Sequence, residues 1–340
     1  VRQLVFVEPG RLEWRDADEP RVQGPHEALV RPLAVAACDL DGPVVRGLVP
    51  IPGPYAFGHE FAGEVVETGA DVTGFAAGDR VAVSFQVFCG ECARCRRGLT
   101  ANCEGEGVNY RAMYGFGPLG GLQWGGAFAD LVRVPFADAM LFAIPDGVEP
   151  ATVATASDNI DDAWRTVGPA LEGSHAGGAV LIVGGGAPSI GLLAVDIARA
   201  LGAGRVVYVD HDSERLAAAE AYGAEPVRGL PERKAGRFPV VVDASGDPAG
   251  LAVAMRSTEP GGICTSVGIY YGETAVPLLE MYDNGITFVT GRPHVGPTLP
   301  RVLDLLASGR IDPDRIVTTV SWEDAPTALL DPPIKLVAVR

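Results

Sequence analysis

The sequence predicts a two-domain α/β protein: an irregular, β-rich part and a doubly wound parallel sheet. Three observations carry this. The chain has 340 residues, which suits two cores better than one. Before residue 150, short apolar runs alternate with Gly- and Pro-rich turns and show little helical periodicity. From Gly178 onward, continuous apolar runs alternate with helical segments, as expected of strands buried on both faces.

In the first part, residues 4–6, 28–30, 63–67 and 80–83 read as strands of a partly open barrel. Residues 132–134 and 141–144 close it, and Pro145-Asp146-Gly147 is a turn. In the second part, residues 179–183 form a strand and Gly184-Gly185-Gly186-Ala187-Pro188-Ser189-Ile190-Gly191 a Gly-rich turn. An apolar helix over 192–201 and a strand over 206–209 ending at Asp210 follow. Strand, Gly-rich turn, helix, strand and acid make a dinucleotide-binding unit. Glycine lets the backbone approach a pyrophosphate, and the helix N-terminus favours its charge. Asp210 stands nineteen residues after Gly191, placed to accept ribose hydroxyls, so NAD is expected over NADP; His211 and Arg215 are the features that could relax that choice. Counted back from Gly191, Pro188 occupies the middle Gly of the usual turn, or else the loop carries two extra residues. Ser245 and Gly268 end the strands over 240–246 and 261–268 and are further cofactor candidates. Residues 286–291 form a late strand and 299–306 a short helix.

Composition narrows the function. A net charge of −16 excludes the basic footprint of a nucleic-acid binder. No apolar run reaches the roughly 18 residues of a membrane span, and no signal peptide is evident, so a cytoplasmic protein is expected. Only two lysines occur, Lys234 and Lys335, which reads as coding bias rather than function.

Four of the six cysteines, Cys89, Cys92, Cys95 and Cys103, lie within fifteen residues. Four thiolates close a tetrahedral zinc shell with no open position, so the site is structural; an iron–sulfur cluster is the alternative. Cys38, His59 and Glu60 supply a thiolate, an imidazole and a carboxylate, the ingredients of a second zinc site.

The Cys89–Cys103 segment resembles the structural zinc lobe of medium-chain, zinc-dependent alcohol dehydrogenases. That family also carries Gly-His-Glu, here Gly58-His59-Glu60, and a Cys at a strand end about twenty residues earlier, here Cys38. A rival register would put Ala36 in that place. The resemblance implies a GroES-like catalytic domain over 1–155 and 294–340, with its zinc lobe at 86–105. It implies a Rossmann NAD-binding domain over 156–293. It further implies two zinc ions per subunit, hydride exchange between NAD(H) and an alcohol or carbonyl substrate, and a homodimer or homotetramer paired through the strand at 286–291.

The third catalytic ligand is expected at Asp158, as in formaldehyde dehydrogenase-like members, with Asp161 and Asp162 as competitors. Glu60 is expected in or beside the metal's shell. The family usually has Cys-x-(Ser/Thr)-Asp-x-His where this chain has Cys38-Asp39-Leu40-Asp41-Gly42-Pro43. Leu40 and Pro43 carry no transferable proton, so the usual proton relay is missing, and Asp39 and Glu60 are candidates to replace it. The aromatics of residues 112–126 are expected either to line a pocket or to pack the loop. Two rivals stand beside this reading: a quinone or enone reductase that needs no catalytic zinc, and a non-catalytic NAD-binding protein.

Overall fold

A computed structural model describes all of residues 1–340. The chain divides into two compact units. The first comprises residues 1–161, 294–308 and 317–340, and the second residues 162–293 and 309–316. The expected division differs from this by six residues at the first junction and by the segment 309–316, which packs with the second unit.

The first unit is built on a sheet with the strand order Val317–Ser321, Lys335–Val339, Ala28–Ala36, Glu60–Thr68, Arg80–Val83, Leu141–Ala143; Val132–Val134 also pairs with Ala28–Ala36. A smaller sheet joins Arg11–Asp16, Arg2–Glu8 and Tyr55–Ala56. Phe6 is 1 % exposed, with its ring centroid 5.2 Å from that of Tyr55. Truncating such a side chain to alanine typically costs about 3–5 kcal/mol.

Register positions the chemistry. Ala36 faces Glu60 in one antiparallel pair and Val337 in another. Continuing these registers sets Ala37 opposite His59 and Cys38 opposite Lys335. Lys335 and Ala37, 298 positions apart in sequence, therefore meet at one sheet end.

The second unit holds six strands, all parallel, in the spatial order Glu225–Arg228, Val206–Asp210, Val180–Val183, Phe238–Asp243, Thr258–Ser266, Thr287–Thr290. In chain order this is 3-2-1-4-5-6, the doubly wound dinucleotide-binding arrangement. Leu181, Val183, Val207, Val209 and Val241 form its core. The helix expected over 192–201 starts earlier, as Pro188–Ala200, because proline's fixed φ and missing N–H suit the first helical turn. Pro188 therefore starts the helix at the point where the Gly-rich turn enters it. The late helix likewise starts earlier, as Val295–Ala307, in the first unit. No helix is long and apolar enough to cross a membrane.

Candidate metal centres and cofactor site

The thiol sulfurs of Cys89, Cys92, Cys95 and Cys103 all lie within 4.8 Å of one another. Cys103 Sγ is 3.6 Å from Cys89 Sγ and 4.0 Å from Cys92 Sγ. A tetrahedron of sulfurs around zinc at 2.3 Å has edges of about 3.8 Å, so the set fits the metal. Backbone N–H groups point at the sulfurs. Cys92 donates to Cys89 Sγ at 3.3 Å, Cys95 to Cys92 Sγ at 3.4 Å and Gly105 to Cys103 Sγ at 3.3 Å. Burial opposes ionisation of Cys92, but backbone donors from Glu104 and Cys95 bring its thiol down to about 6. All six cysteines are free thiols.

The second cluster joins Cys38, His59, Glu60 and Asp158, whose ligand atoms also lie within 4.8 Å of one another. Cys38 follows the strand Ala28–Ala36, and His59 precedes Glu60–Thr68, so antiparallel pairing sets them side by side. Gly58 makes the turn into His59 at φ +90°, and a Cβ there would meet the Phe128 ring at 2.4 Å. Only glycine fits both constraints. Asp158 comes from a π-helical turn, Ala156–Ile160, a rare geometry that recurs at functional sites. Its Oδ2 lies 3.2 Å from His59 Nε2. The same stretch holds Glu60: Thr155 Oγ1 donates to Glu60 Oε2 at 2.8 Å.

Of the competing acids, Asp161 receives the Thr298 hydroxyl and Asp162 pairs with Arg165, both away from this cluster. Asp41 is fully buried; its Oδ2 accepts the Cys38 N–H at 2.9 Å, and its Oδ1 faces His59 Nδ1 at 3.9 Å. Leu40 donates its N–H to Cys38 Sγ at 3.2 Å and otherwise packs against the core.

Lys335 is the residue sequence reasoning missed. It is 1 % exposed, and its Nζ donates to both Glu60 oxygens, at 3.0 and 2.8 Å, and to the Ala37 carbonyl at 2.7 Å. The available signal was a lysine opening an otherwise apolar strand, Lys335–Val339. Burial works against its charge, but Glu60, Asp39 and Cys38 raise its pKa.

Electrostatically the cluster holds an excess of buried acid. Burial, then Asp41, Asp158 and Glu60, push the Cys38 thiol well above its ordinary value. Burial raises Glu60 to about 7 against the pull of Lys335, and Asp41 to about 6 against His59. One ammonium does not balance a thiol and three carboxylates. A divalent cation offsets most of that excess and suits these soft and hard donors, so the residues fit zinc.

Aromatic rings wall the cluster. Phe116 lies 4.6 Å and Phe85 5.7 Å from the His59 ring. Tyr114 instead packs the loop, fully buried, with its hydroxyl on the Arg133 carbonyl at 3.0 Å. Of this loop's aromatics, Phe116 stands against the His59 ring and Tyr114 packs within the first unit's core.

In the second unit, the Gly-rich turn leaves strand Val180–Val183. A Cβ at Gly184 would lie 2.5 Å from both the Tyr208 hydroxyl and Asp210 Oδ2, so no larger residue fits. Gly186 donates its N–H to the Ser245 carbonyl at 2.7 Å, which ties the turn to the next loop. Asp210 is saturated with donors: Arg215 Nη2 at 2.8 Å, the N–H groups of His211 and Asp212 at 2.7 and 3.0 Å, and the Tyr208 hydroxyl at 3.1 Å. Burial opposes its charge, but Arg215 and the Asp212 N–H hold its carboxyl below the usual range. Ser245 Oγ donates to buried Asp243 at 2.5 Å, and the Tyr270 hydroxyl donates to the other Asp243 oxygen at 2.8 Å. Gly268 follows the strand Thr258–Ser266 in the loop beside Gly246.

Comparisons with known proteins agree with this architecture. Residues 24–146 match the family "Alcohol dehydrogenase GroES-like domain", and residues 189–308 match "Zinc-binding dehydrogenase". A probable zinc-binding alcohol dehydrogenase of Mycobacterium tuberculosis is 32% identical over 94% of this chain and 82% of its own length. The solved structure of an alcohol dehydrogenase from a Thermus species superposes with a TM-score of 0.89 at 31% identity, covering 100% of this chain and 99% of that one. A putative zinc-binding dehydrogenase of Sinorhizobium meliloti, solved bound to NADP, gives a TM-score of 0.81 at 25% identity over 100% and 99%. With the two cysteine-bearing clusters and the 3-2-1-4-5-6 sheet, these matches show that the chain is an oxidoreductase belonging to the medium-chain, zinc-dependent alcohol dehydrogenase family.

Proposed function

We propose that the protein transfers hydride between NAD(H) and an alcohol or its carbonyl partner, with one structural and one catalytic zinc per chain. The observation that carries this is the convergence of Cys38, His59, Glu60 and Asp158 donor atoms within 4.8 Å. Cys38, His59 and Asp158 would hold the catalytic metal and leave a position for substrate. When bound, zinc supplies Lewis-acid polarisation of the substrate oxygen, and the nicotinamide supplies the hydride acceptor or donor.

The chain's own residues do the rest. Lys335 and Thr155 hold the Glu60 carboxylate beside the cluster, as a ligand that can exchange or an acid behind it. Asp41 fixes the Cys38 backbone and faces the far side of the His59 ring. Phe85, Phe116 and Leu40 offer no polar group to a substrate, which supports an apolar or aromatic alcohol. With Leu40 and Pro43 unable to carry a proton, Asp39 and Glu60 remain the side chains that could pass it to solvent.

Gly184, Gly186, Ser189, Ile190 and Gly191 would cradle the pyrophosphate at the start of helix Pro188–Ala200. Asp210 supports NAD over NADP, because a carboxylate repels a 2′-phosphate; Arg215, committed to Asp210, tempers that preference. The edge strand Thr287–Thr290, with exposed Leu278, Leu279 and Tyr282 near it in sequence, supports pairing with a second copy. Cysteines committed to metal rather than to disulfides support a reducing, cytoplasmic setting.

The test is a panel of apolar, aromatic and polyol alcohols with NAD and NADP, before and after chelation. Turnover of apolar alcohols with NAD, lost on chelation and restored by zinc, is expected. Chelation-resistant reduction of enones or quinones would establish the zinc-independent rival, and cofactor binding without any turnover the non-catalytic one.

A further inference from the structure

The four-cysteine lobe and the Asp158 turn are joined by one helix, both ends of the link lying within the first unit. Two hydrogen bonds tie the lobe to the start of helix Val295–Ala307. The Ala101 N–H donates to His294 Nδ1 at 3.1 Å, and the Gly296 N–H donates to Thr100 Oγ1 at 3.3 Å. Thr100 and Ala101 belong to the short helical turn Thr100–Asn102 that Cys103 ends, so a metal that holds Cys103 also steadies these partners. As an acceptor at Nδ1, His294 carries its proton on Nε2.

One turn further on, the helix grips the catalytic side. It packs against the π-helical turn Ala156–Ile160. The Thr298 hydroxyl donates to Asp161 Oδ1 and lies 2.9 Å from the His294 carbonyl. Asp161 is the first residue after the π-turn, three positions from Asp158. A π-turn is a rare, one-turn widening of a helix found frequently at functional sites. Thr298 supplies an outside contact at the point where ordinary helix resumes.

We propose that Thr298 is a positioning residue for the third metal ligand. Anchored through His294 and Gly296 to the cysteine lobe, it holds the π-turn in the register that presents Asp158 to His59. The lobe thereby contributes to the affinity of the catalytic cluster for its metal, without touching it. This rests on the zinc reading above.

The test measures zinc retained per chain against increasing chelator, for the wild type and for Thr298→Val and Thr298→Ser. The valine variant keeps the shape and removes the hydroxyl. It should release its first zinc at roughly tenfold lower chelator, as expected when a residue supporting a ligand is lost, while its second zinc stays as in wild type. The serine variant should match wild type. A valine variant that retains both zincs like wild type, or loses both in parallel, overturns the proposal. Should the valine variant not fold, His294→Ala against His294→Gln tests the lobe end with the same readout. The alanine should loosen the first zinc and the glutamine, which keeps an acceptor, should not; equal curves overturn the link. A wild-type chain that holds only one zinc overturns the proposal too, but there the catalytic zinc reading is what has failed.

Discussion

The two cysteine-bearing clusters of the first unit differ in almost every physical respect. The lobe takes its four donors from fifteen consecutive residues, all sulfur, with backbone N–H groups turned toward them. The second cluster takes its donors from three separated segments, mixes sulfur, nitrogen and oxygen, and buries several acids around one lysine. A closed shell of local thiolates serves folding. An open, over-acidic, long-range set serves chemistry, because its charge is compensated only when a cation is present.

The largest expected effect separates these roles. Cys95→Ser should strip the lobe of its metal and lower the unfolding midpoint sharply, since structural zinc binding is on the order of 10 kcal/mol in zinc-finger peptides. Denaturant unfolding followed by circular dichroism reads this. His59→Ala should instead reduce hydride transfer roughly a thousandfold, the several kcal/mol a Lewis acid supplies, while the lobe keeps its zinc. If the two variants showed the same profile, the division of labour would be wrong.

Next comes Lys335. Lys335→Met leaves Glu60 buried without its cation, and breaking such a pair costs about 3–5 kcal/mol. The Glu60→Gln and Lys335→Met double variant should recover most of that stability without recovering turnover. Thermal unfolding and a turnover assay on the three proteins decide it. Full stability in Lys335→Met alone would show that the pair is not needed to hold Glu60.

The smallest effect is a background against which both clusters must be measured. Burial raises Asp196 in the second unit to about 6, although its carboxylate accepts the Asp312 N–H at 2.7 Å. Its folded pKa lies above its unfolded value near 4, so the folded state binds the proton more tightly. That contribution is full below pH 4 and is lost as pH rises through 6. Asp196→Asn should therefore gain roughly 2 kcal/mol over wild type at pH 8 and nothing at pH 4, read from unfolding at both values. An equal gain at both would assign the effect to packing.

Legibility in the sequence follows the same contrast. The lobe can be read from spacing alone, since its ligands are neighbours. The parallel sheet can be read because strands such as Val180–Val183 are apolar throughout, and the Gly-rich turn and Asp210 mark its first crossover. Cys38 and His59 could be paired through the family resemblance, but the reason they meet is strand register. For Lys335 the sequence offers only a lysine opening an apolar strand; its partner is legible only from the register that sets Val337 opposite Ala36. The π-turn and Thr298 were equally hidden, because no local propensity encodes a widened turn held from another segment.

The central claim is that Asp158 completes a second zinc site whose donors are distinct from the four cysteines. Zinc content of wild type and Asp158→Asn, purified alike and measured by atomic emission, tests it most directly. The account predicts two zincs per chain falling to one, with the fold unchanged. An Asp158→Asn chain that still holds two zincs as firmly as wild type would contradict it.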